Sequence, residues 1–238
     1  MVCAMIERLG IIGDVHAEDD LLERALRFLD GQAMDVLLCT GDIVDGTGDV
    51  RRCVDLLTAY GVKTVAGNHD RWCLQDRVRH IPNAHLRETL DNTSLAYLEA
   101  LPRQVTVQTA AGKLLLCHGI GENDLQKVWP GSQRLAPERS TLLDEMISTG
   151  DIRWLVNGHM HYRTLIEFQA LTLLNAGTLK NRHRPGFAVL DIGQGHVLGY
   201  EFNPDPVAVK RLQFSAAPRF VNTQDFDGLE EPSTLYAS

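Results

Sequence analysis

The chain has 238 residues, 44% of them hydrophobic and 23% charged, proportions typical of a soluble globular protein. A chain of this length can bury roughly 70–75% of its unfolded surface, so a sizeable core needs no disulfide bonds. The net charge of −8 excludes nucleic-acid binding through a broad cationic surface, although a local positive centre could still attract a small phosphorylated substrate.

The sequence carries no feature typical of a membrane or an oxidising compartment. The five cysteines are odd in number and scattered, so disulfide bonds are not expected. No apolar run approaches the roughly 20 residues that span a bilayer, and the first residues do not resemble a secretory signal. We therefore expect a cytoplasmic protein with no membrane partner, whose oligomeric state the sequence leaves open.

The first part of the chain alternates short apolar runs with amphipathic patterns. The runs predict strands at Leu9–Gly13, Val36–Thr40 and Val62–Ala66, and the patterns predict helices at Asp20–Leu29 and Val50–Tyr60. This β-α-β-α-β order favours a layered α/β fold.

The second part is richer in strands. Residues 71–101 are predicted to be mostly helical, with breaks at 82–83 and 101–102, and to place His80 and His85 on the surface. Residues 105–117 are predicted to form a hairpin. Beyond a helix near Thr141–Ser148, further strands are predicted at 153–156, 164–168, 171–174, 187–192 and 196–202. We therefore expect a second sheet packed on the first, in one domain over 1–214. The remaining tail, 215–238, is expected either to be loosely held or to dock on this or a neighbouring chain.

Five apolar runs end abruptly in side chains that can bind a metal. They are IIGDVH (11–16), LLCTGDIVDG (37–46), VAGNHD (65–70), LLLCHG (114–119) and WLVNGHMH (154–161). Ligands of α/β sheets bind beyond the carboxyl ends of the strands, so these stretches can meet in space. Taken singly, Asp14 is equally explained as a helix cap, Asp42 as a turn residue and His118 as a structural histidine. The His-x-His spacing at 159–161 is stronger evidence, because an extended segment would point both imidazoles to one side.

Together the stretches supply two aspartates, an asparagine and four histidines, with no thiolate. Such oxygen and nitrogen donors suit Mn²⁺, Fe, Zn²⁺, Co²⁺ or Ni²⁺. The donors are too many for one ion that keeps open positions. The set therefore favours two ions that share a carboxylate, roughly 3.5–4 Å apart.

The ordered series GDVH, GDIVD, GNHD, CHG and GHMH resembles the calcineurin-like metallophosphoesterase superfamily, specifically its compact prokaryotic phosphodiesterase-like branch. The resemblance spans residues 13–161, with a weaker echo at 175–178. It implies an α/β fold in which two mixed sheets form a layered sandwich flanked by helices. It also implies two divalent ions, with Mn²⁺ the first choice: Asp14, His16 and His161 would hold one, Asn68, His118 and His159 the other, and Asp42 would bridge them.

The resemblance also implies how the remaining polar residues act. A metal-bridging hydroxide would attack phosphorus, while His69, oriented by Asp45, would protonate or stabilise the leaving group. Asp70 is expected to be structural. We also expect substrate contacts from Arg71, His183 and Arg184. A surface role explains Arg71 equally well, and a solvated basic loop is the simpler interpretation of residues 181–184.

The function expected from these features is hydrolysis of a phosphodiester or a small phosphomonoester, with the loop 119–139 setting specificity. A protein serine/threonine phosphatase is disfavoured, because Ala17, Gly46 and Asp70 depart from the GDxHG, GDxVDRG and GNHE motifs of those enzymes. A dinucleoside polyphosphate hydrolase stays open. So does an alternative of another class, a catalytically idle scaffold that keeps the fold as an interaction module.

Overall fold

The computed structural model describes residues 5–128, 140–215 and 217–221. In chain order its elements are β1 (Arg8–Ile12), α1 (Asp19–Asp30), β2 (Val36–Cys39), α2 (Val50–Ala59), β3 (Lys63–Thr64), α3 (Asn68–Leu74), α4 (Asn92–Ala100), β4 (Gln104–Thr109), β5 (Gly112–Cys117), α5 (Thr141–Thr149), β6 (Trp154–Asn157), β7 (Arg163–Glu167), β8 (Thr172–Ala176), β9 (Gly186–Asp191), β10 (His196–Asn203), β11 (Asp205–Gln213) and β12 (Arg219–Val221). Short 3₁₀ helices lie at Arg87–Thr89 and Asn181–His183. Residues 129–139 of the predicted specificity loop and 222–238 of the predicted tail lie outside the described residues.

The strands form two six-stranded sheets. The first has the order β11-β10-β9-β1-β2-β3, and the second has the order β12-β7-β8-β6-β5-β4. In the first sheet β1, β2 and β3 are parallel; in the second, β5, β6 and β8 are parallel. The other neighbours pair antiparallel, so both sheets are mixed, and the predicted α/β fold is confirmed.

Strand β1 is apolar on both faces because it lies between two core layers. Leu9 and Ile11 point into a cluster shared with strands of the second sheet, whereas Ile12 belongs to the cluster under α1 and α2. Leu22, Leu26 and Leu29 of α1 are fully buried in the cluster under α1 and α2, as their helical spacing predicts. A third cluster lies between the second sheet and α5. This layering holds the strand ends, and thus the loops that follow them, in fixed positions.

Two segments differ from the expectation. The predicted strand Val62–Ala66 contributes only Lys63 and Thr64 to the sheet, because the backbone leaves it and the N–H of Ala66 donates to Pro102. The helical prediction within 71–101 is wrong over residues 75–81 and 84–86, which are irregular, as is the predicted break at 82–83. Asp76 and Val78 have positive φ there, and Pro82 disfavours helix continuation.

The sequence also missed two strands. Most of β11 is exposed and therefore lacks the apolar alternation that marks a half-buried strand. Strand β12 pairs antiparallel with β7, which places residues 219–221 of the predicted tail at the edge of the second sheet. No described helix is both long and apolar enough to cross a membrane.

Candidate metal centre

The seven predicted ligand residues all follow the carboxyl ends of parallel strands. Asp14 and His16 follow β1, Asp42 follows β2, and Asn68 follows β3. The second sheet contributes His118 after β5, and His159 and His161 after β6. The two sheets are joined at this edge, since the N–H of Asp14 donates to Gly177 and the N–H of Leu179 donates to Asp14.

One group of donors surrounds the end of β1. Asp14, His16, Asp42 and His161 each offer an atom within 4.8 Å of the others. The Nε2 atoms of His16 and His161 are 3.0 Å apart, and His161 Nε2 is 3.3 Å from Asp14 Oδ2. This group contains the three residues assigned to the first ion, together with the assigned bridge.

A second group lies on the other side of Asp42. His118 Nε2 is 2.9 Å from Asn68 Oδ1 and 3.3 Å from Asp42 Oδ2. The His159 ring lies edge-on to His118, with ring centroids 5.3 Å apart. Asp42 Oδ2 is also 3.9 Å from His16 Nε2, so one carboxylate oxygen faces both groups.

Backbone acceptors fix the orientation of two of these imidazoles. The carbonyl of Asp45 lies 3.1 Å from Nδ1 of His16, and the carbonyl of Thr40 lies 2.7 Å from Nδ1 of His118. A carbonyl can only accept, so each Nδ1 carries a proton. In the neutral tautomer the lone pair is then on Nε2, the atom that points into the cluster.

Charge in the cluster is set by burial and by the neighbouring groups. Burial lowers the pKa of His16 to about 3 and of His159 to about 4, so both are neutral near pH 7. Burial opposes ionisation of Asp14 and Asp42, yet nearby histidines hold the pKa of both carboxyls below its ordinary value. For His118, burial is outweighed by the Asp42 and Asp14 carboxylates, which raise its pKa to about 10. Without an ion, a protonated His118 therefore balances part of the charge of the two carboxylates, and a bound cation could replace that proton.

The donor set fits divalent ions. Ligands about 2.1 Å from one ion and at right angles to each other lie about 3.0 Å apart. The pairs His16–His161 and His118–Asn68 have this spacing, at 3.0 and 2.9 Å. The Nδ2 of buried Asn68 has no hydrogen-bond partner among the described residues, so its N–H is left to donate to an oxygen of a group bound at the cluster.

The turns that carry these residues have unusual backbone angles. Positive φ occurs at five predicted site residues: His16 (49°), Asp42 (49°), Asp45 (68°), His159 (68°) and His161 (60°). Such angles are uncommon outside glycine, and each costs on the order of 1–3 kcal/mol. A Cβ at Gly67 would lie 2.1 Å from Asp42 Oδ1, so only glycine fits there. Strain and close approach coincide at the cluster, as is typical of functional sites.

The expected geometry of the two late histidines is wrong. Residues 159–161 are not extended, because His159 and His161 both have left-handed backbone angles. Their rings consequently diverge. The His159 ring lies against His118, and the His161 ring lies 4.8 Å from that of His16. Each donor group therefore receives one of the two imidazoles.

His69 is held by a buried network rather than by the metal-ligand cluster. Its Nδ1 donates to Asp45 Oδ2 at 2.7 Å. Arg79 binds the same carboxylate through two nitrogens, at 2.8 and 3.0 Å, and the N–H of His85 donates to it at 2.9 Å. Burial disfavours the charged form of Asp45, but these partners hold its pKa below the ordinary value. Burial also disfavours the charged form of His69, but the carboxylates of Asp42 and Asp45 raise its pKa. The Nε2 of His69 is thus the ring nitrogen left for a substrate.

The three predicted substrate contacts all have protein partners. Arg71 forms a two-bond ion pair with Asp124, with N–O distances of 2.6 and 2.8 Å. His183 Nδ1 is 2.8 Å from His161 Nδ1. Arg184 lies 3.8 Å from Glu201, and its side chain is 44% exposed. Contact of these residues with a substrate stays a prediction.

Several residues that support the site were missed by the sequence analysis. Thr40 Oγ1 donates to Asp14 Oδ1 at 2.9 Å, and Asn175 Nδ2 donates to the carbonyl of Gly158 at 2.5 Å. Arg79 and His85 were also missed, and the expectation that His85 is a surface residue is wrong, because it is half-buried against Asp45. Two of them carried a sequence signal: Thr40 stands beside a motif, and Asn175 opens the weaker echo at 175–178.

Asp70 connects the loops that carry Asp42 and Asn68. Its fully buried carboxylate accepts the N–H groups of Ile43 (2.7 Å), Val44 (3.3 Å) and Gly67 (2.9 Å). These bonds direct the carboxylate to the backbone of the two loops rather than to the donor cluster, in agreement with a structural role.

Replacement of Asp70 by alanine should destabilise the metal-free protein by about 3 kcal/mol or more. The variant leaves three buried N–H groups without an acceptor, each costing about 1–3 kcal/mol. Urea unfolding in the presence of a chelator measures the effect, with Glu88→Ala as a control at an exposed carboxylate. A loss below about 1 kcal/mol would show that Asp70 does not hold the two loops.

A family model and a curated relative each match most of the chain. The model of the calcineurin-like phosphoesterase superfamily domain matches residues 8–195. An uncharacterized protein of Methanocaldococcus jannaschii is 23% identical over 186 residues, which cover 75% of this chain and 71% of the relative.

Solved structures also resemble the chain. A hypothetical protein of Pyrococcus horikoshii has a TM-score of 0.64 at 15% identity, over 82% of this chain and 87% of that one. A metallophosphoesterase of Sphaerobacter thermophilus has a TM-score of 0.57 at 20% identity, over 87% of this chain and 89% of that one. At these identities the structural likeness concerns the fold alone.

Proposed function

Since the chain belongs to the calcineurin-like phosphoesterase superfamily and is therefore a phosphoric ester hydrolase, we propose that it uses two divalent ions to hydrolyse a phosphodiester or a small phosphomonoester. The observation that carries the proposal is the position of Asp42 Oδ2. It lies 3.9 Å from His16 Nε2 and 3.3 Å from His118 Nε2, between two groups of donors. A carboxylate in that position can bridge two ions, with Mn²⁺ the first choice for such oxygen and nitrogen ligands.

The ligand assignment follows the two groups. Asp14, His16 and His161 would hold one ion, Asn68, His118 and His159 would hold the other, and Asp42 would bridge them. When bound, the ions would supply Lewis acidity that activates water and stabilises charge on the phosphoryl oxygens. Thr40 and Asn175 would keep the ligands oriented, because they bond to Asp14 and to the turn before His159.

The leaving group would depart on the side of His69. The Nδ1–H of His69 is bound to Asp45 Oδ2, so the proton transferred to the leaving oxygen would come from Nε2. Asp45 keeps the imidazole in this orientation and favours its charged form. The backbone N–H of His69 also donates to Asp42 Oδ1 at 2.8 Å, which links the position of the acid to the position of the bridge.

Gly46 argues against the protein phosphatase alternative. Those enzymes carry a phosphate-binding arginine at the matching position. Here an added Cβ would lie 1.6 Å from the carbonyl oxygen of His16, so no larger residue fits without moving a ligand loop.

The proposed compartment is the cytoplasm. The described cysteines at positions 39, 53, 73 and 117 are free and buried, in agreement with a reducing environment.

The direct test is hydrolysis by metal-stripped protein after addition of Mn²⁺. We expect turnover of bis-p-nitrophenyl phosphate or p-nitrophenyl phosphate that a chelator abolishes. His161→Ala should lose metal and activity, whereas the matched control His80→Ala, at an exposed histidine, should retain both. Protein that binds no metal and turns over neither ester would instead favour the scaffold alternative.

Through its two bonds to Asp45, Arg79 should act on kcat by way of His69, whereas its bonds to the carbonyls of Arg77 and His85 hold the neighbouring loop and should act on KM. Loss of its two bonds to Asp45 in Arg79→Met should lower kcat about 10- to 100-fold, as expected for a charged hydrogen-bonded pair. In a His69→Ala background the same replacement should have almost no further effect, because the residue being oriented is absent. Arg77→Met, at an exposed neighbour, is the control. Equal losses in both backgrounds would show that Arg79 acts on the fold in general.

A further inference from the structure

A cleft of about 790 Å³ is lined by His69 and by His183, whose Nδ1 lies 2.8 Å from Nδ1 of His161 in the donor cluster. His69 and Asp45 line its inner end. Residues 81–83 and residues 180–183 form two further parts of the lining, which we call its walls, and Glu18, Gly46 and Thr47 complete it. Its volume is within the range of small-molecule binding sites.

The position of the cleft assigns it to the departing part of the substrate. Under the proposed function, His69 Nε2 faces the oxygen that leaves phosphorus. The group attached to that oxygen must therefore extend past His69, and this cleft is an open space that His69 borders.

Both walls are fixed by hydrogen bonds. Arg79 binds the carbonyls of Arg77 and His85 as well as Asp45, which secures the loop that contains residues 81–83. On the other wall, the N–H of Lys180 donates to Thr178 Oγ1 at 3.0 Å, and the N–H of Asn181 donates to Glu18 Oε1 at 3.0 Å. The cleft is therefore preformed, which favours binding of a defined group.

The charge of the cleft indicates what that group is. Lys180 and Arg182 both line it, and among the described residues neither forms an ion pair. The acidic residue Glu18 accepts a backbone N–H of the same wall, and Asp45 is already paired with His69 and Arg79. Two unpaired cations thus border a cleft in a chain whose net charge is −8.

We propose that this cleft binds a second anionic group, a phosphate, carried by the departing part of a phosphodiester substrate. The inference rests on the proposed function for the direction in which the ester is cleaved. Water adds its oxygen to phosphorus and the ester P–O bond breaks. The departing oxygen takes one proton, so the products are a phosphomonoester and an alcohol or phenol that retains its own phosphate. Lys180 and Arg182 bind that phosphate, and residues 81–83 contact the body of the group between the two phosphates.

Two synthetic diesters test the proposal. Methyl 4-(phosphonomethyl)phenyl phosphate and methyl 4-ethylphenyl phosphate both release a phenol, and they differ in the anionic group at its far end. We expect kcat/KM to be about 10-fold or more higher for the phosphonate, as for a charge-assisted hydrogen bond. In Lys180→Ala/Arg182→Ala the ratio should fall to about one, while Arg27→Ala, at a distant exposed arginine, should keep the wild-type ratio. A ratio near one in the wild type, or an equal loss on both esters in the double variant, would overturn the proposal.

A binding measurement separates this proposal from the proposed function. Calorimetry with 4-(phosphonomethyl)phenol needs no turnover; we expect the double variant to bind it at least about 10-fold more weakly than the wild type. Equal affinity would overturn the anion site even if the enzyme is active. Weaker binding by the variant, in a protein that hydrolyses no ester, would support the anion site and contradict the hydrolytic function.

Discussion

Replacement of Asp42 by asparagine is expected to abolish metal-dependent hydrolysis, with kcat reduced by at least about 10³-fold, the equivalent of about 4 kcal/mol of transition-state stabilisation. Asp42 Oδ2 faces both donor groups, and its carboxylate is one of two that can balance the charge of the ions. An amide carries no charge, and its nitrogen cannot bind a cation. Both ions should therefore be lost or weakened together, whereas loss of a residue from one group should affect one ion more than the other.

Asparagine is the informative replacement because it keeps the fold. Asp42 has a φ of 49°, and asparagine is one of the few residues that adopt this angle without large strain. Its Oδ1 can still accept the N–H of His69. Metal content per chain and kcat should fall together, while thermal unfolding of the metal-free protein stays cooperative. Asp55→Asn, at an exposed carboxylate, is the matched control. An Asp42→Asn protein that retains two ions and normal activity would rule out the bridging role.

Replacement of His69 by alanine should lower kcat by about 10²–10⁴-fold with the metal content unchanged. The side chain of His69 bonds to Asp45 rather than to the donor cluster, so its removal takes away a proton donor and no ligand. The backbone N–H that supports Asp42 is still present in the variant. The loss should be larger for alkyl esters than for nitrophenyl esters, because a nitrophenolate departs without protonation.

Two measurements together decide the role of His69. Metal analysis of His69→Ala should match the wild type, and the ratio of alkyl to nitrophenyl ester rates should fall. His80→Ala should change neither quantity. If the metal content of His69→Ala collapses, His69 is a ligand, and the assignment of the leaving-group acid is wrong.

The sequence predicted the parts of this site that lie directly after strands. Asp14, Asp42 and His118 each follow an apolar run. Parallel pairing of β1 with β2 brings Asp14 and Asp42 to one edge, and backbone bonds of Asp14 join that edge to the second sheet, which carries His118. The orientation of His159 and His161 was not predictable in the same way. It depends on positive φ at two histidines, and no glycine or other turn residue stands at those positions to signal it.

The network behind His69 was missed because it depends on tertiary contacts alone. Arg79 reaches Asp45 across 34 positions of sequence, from a segment without regular structure. The charge pattern of this segment is that of a surface loop. The side chain of Arg79 is only 11% exposed because of the folded position of the loop, which the sequence does not show. Similarly, β3 is shortened by a backbone bond from Ala66 to Pro102, which no local pattern indicates.

Diffraction from crystals soaked in Mn²⁺, recorded at the manganese absorption edge, tests the two-ion centre most directly. We expect two anomalous peaks per chain, one beside Asp14, His16 and His161 and the other beside Asn68, His118 and His159, with the Asp42 carboxylate touching both. A single peak, or peaks remote from Asp42 in a crystal of active protein, would contradict the two-ion centre.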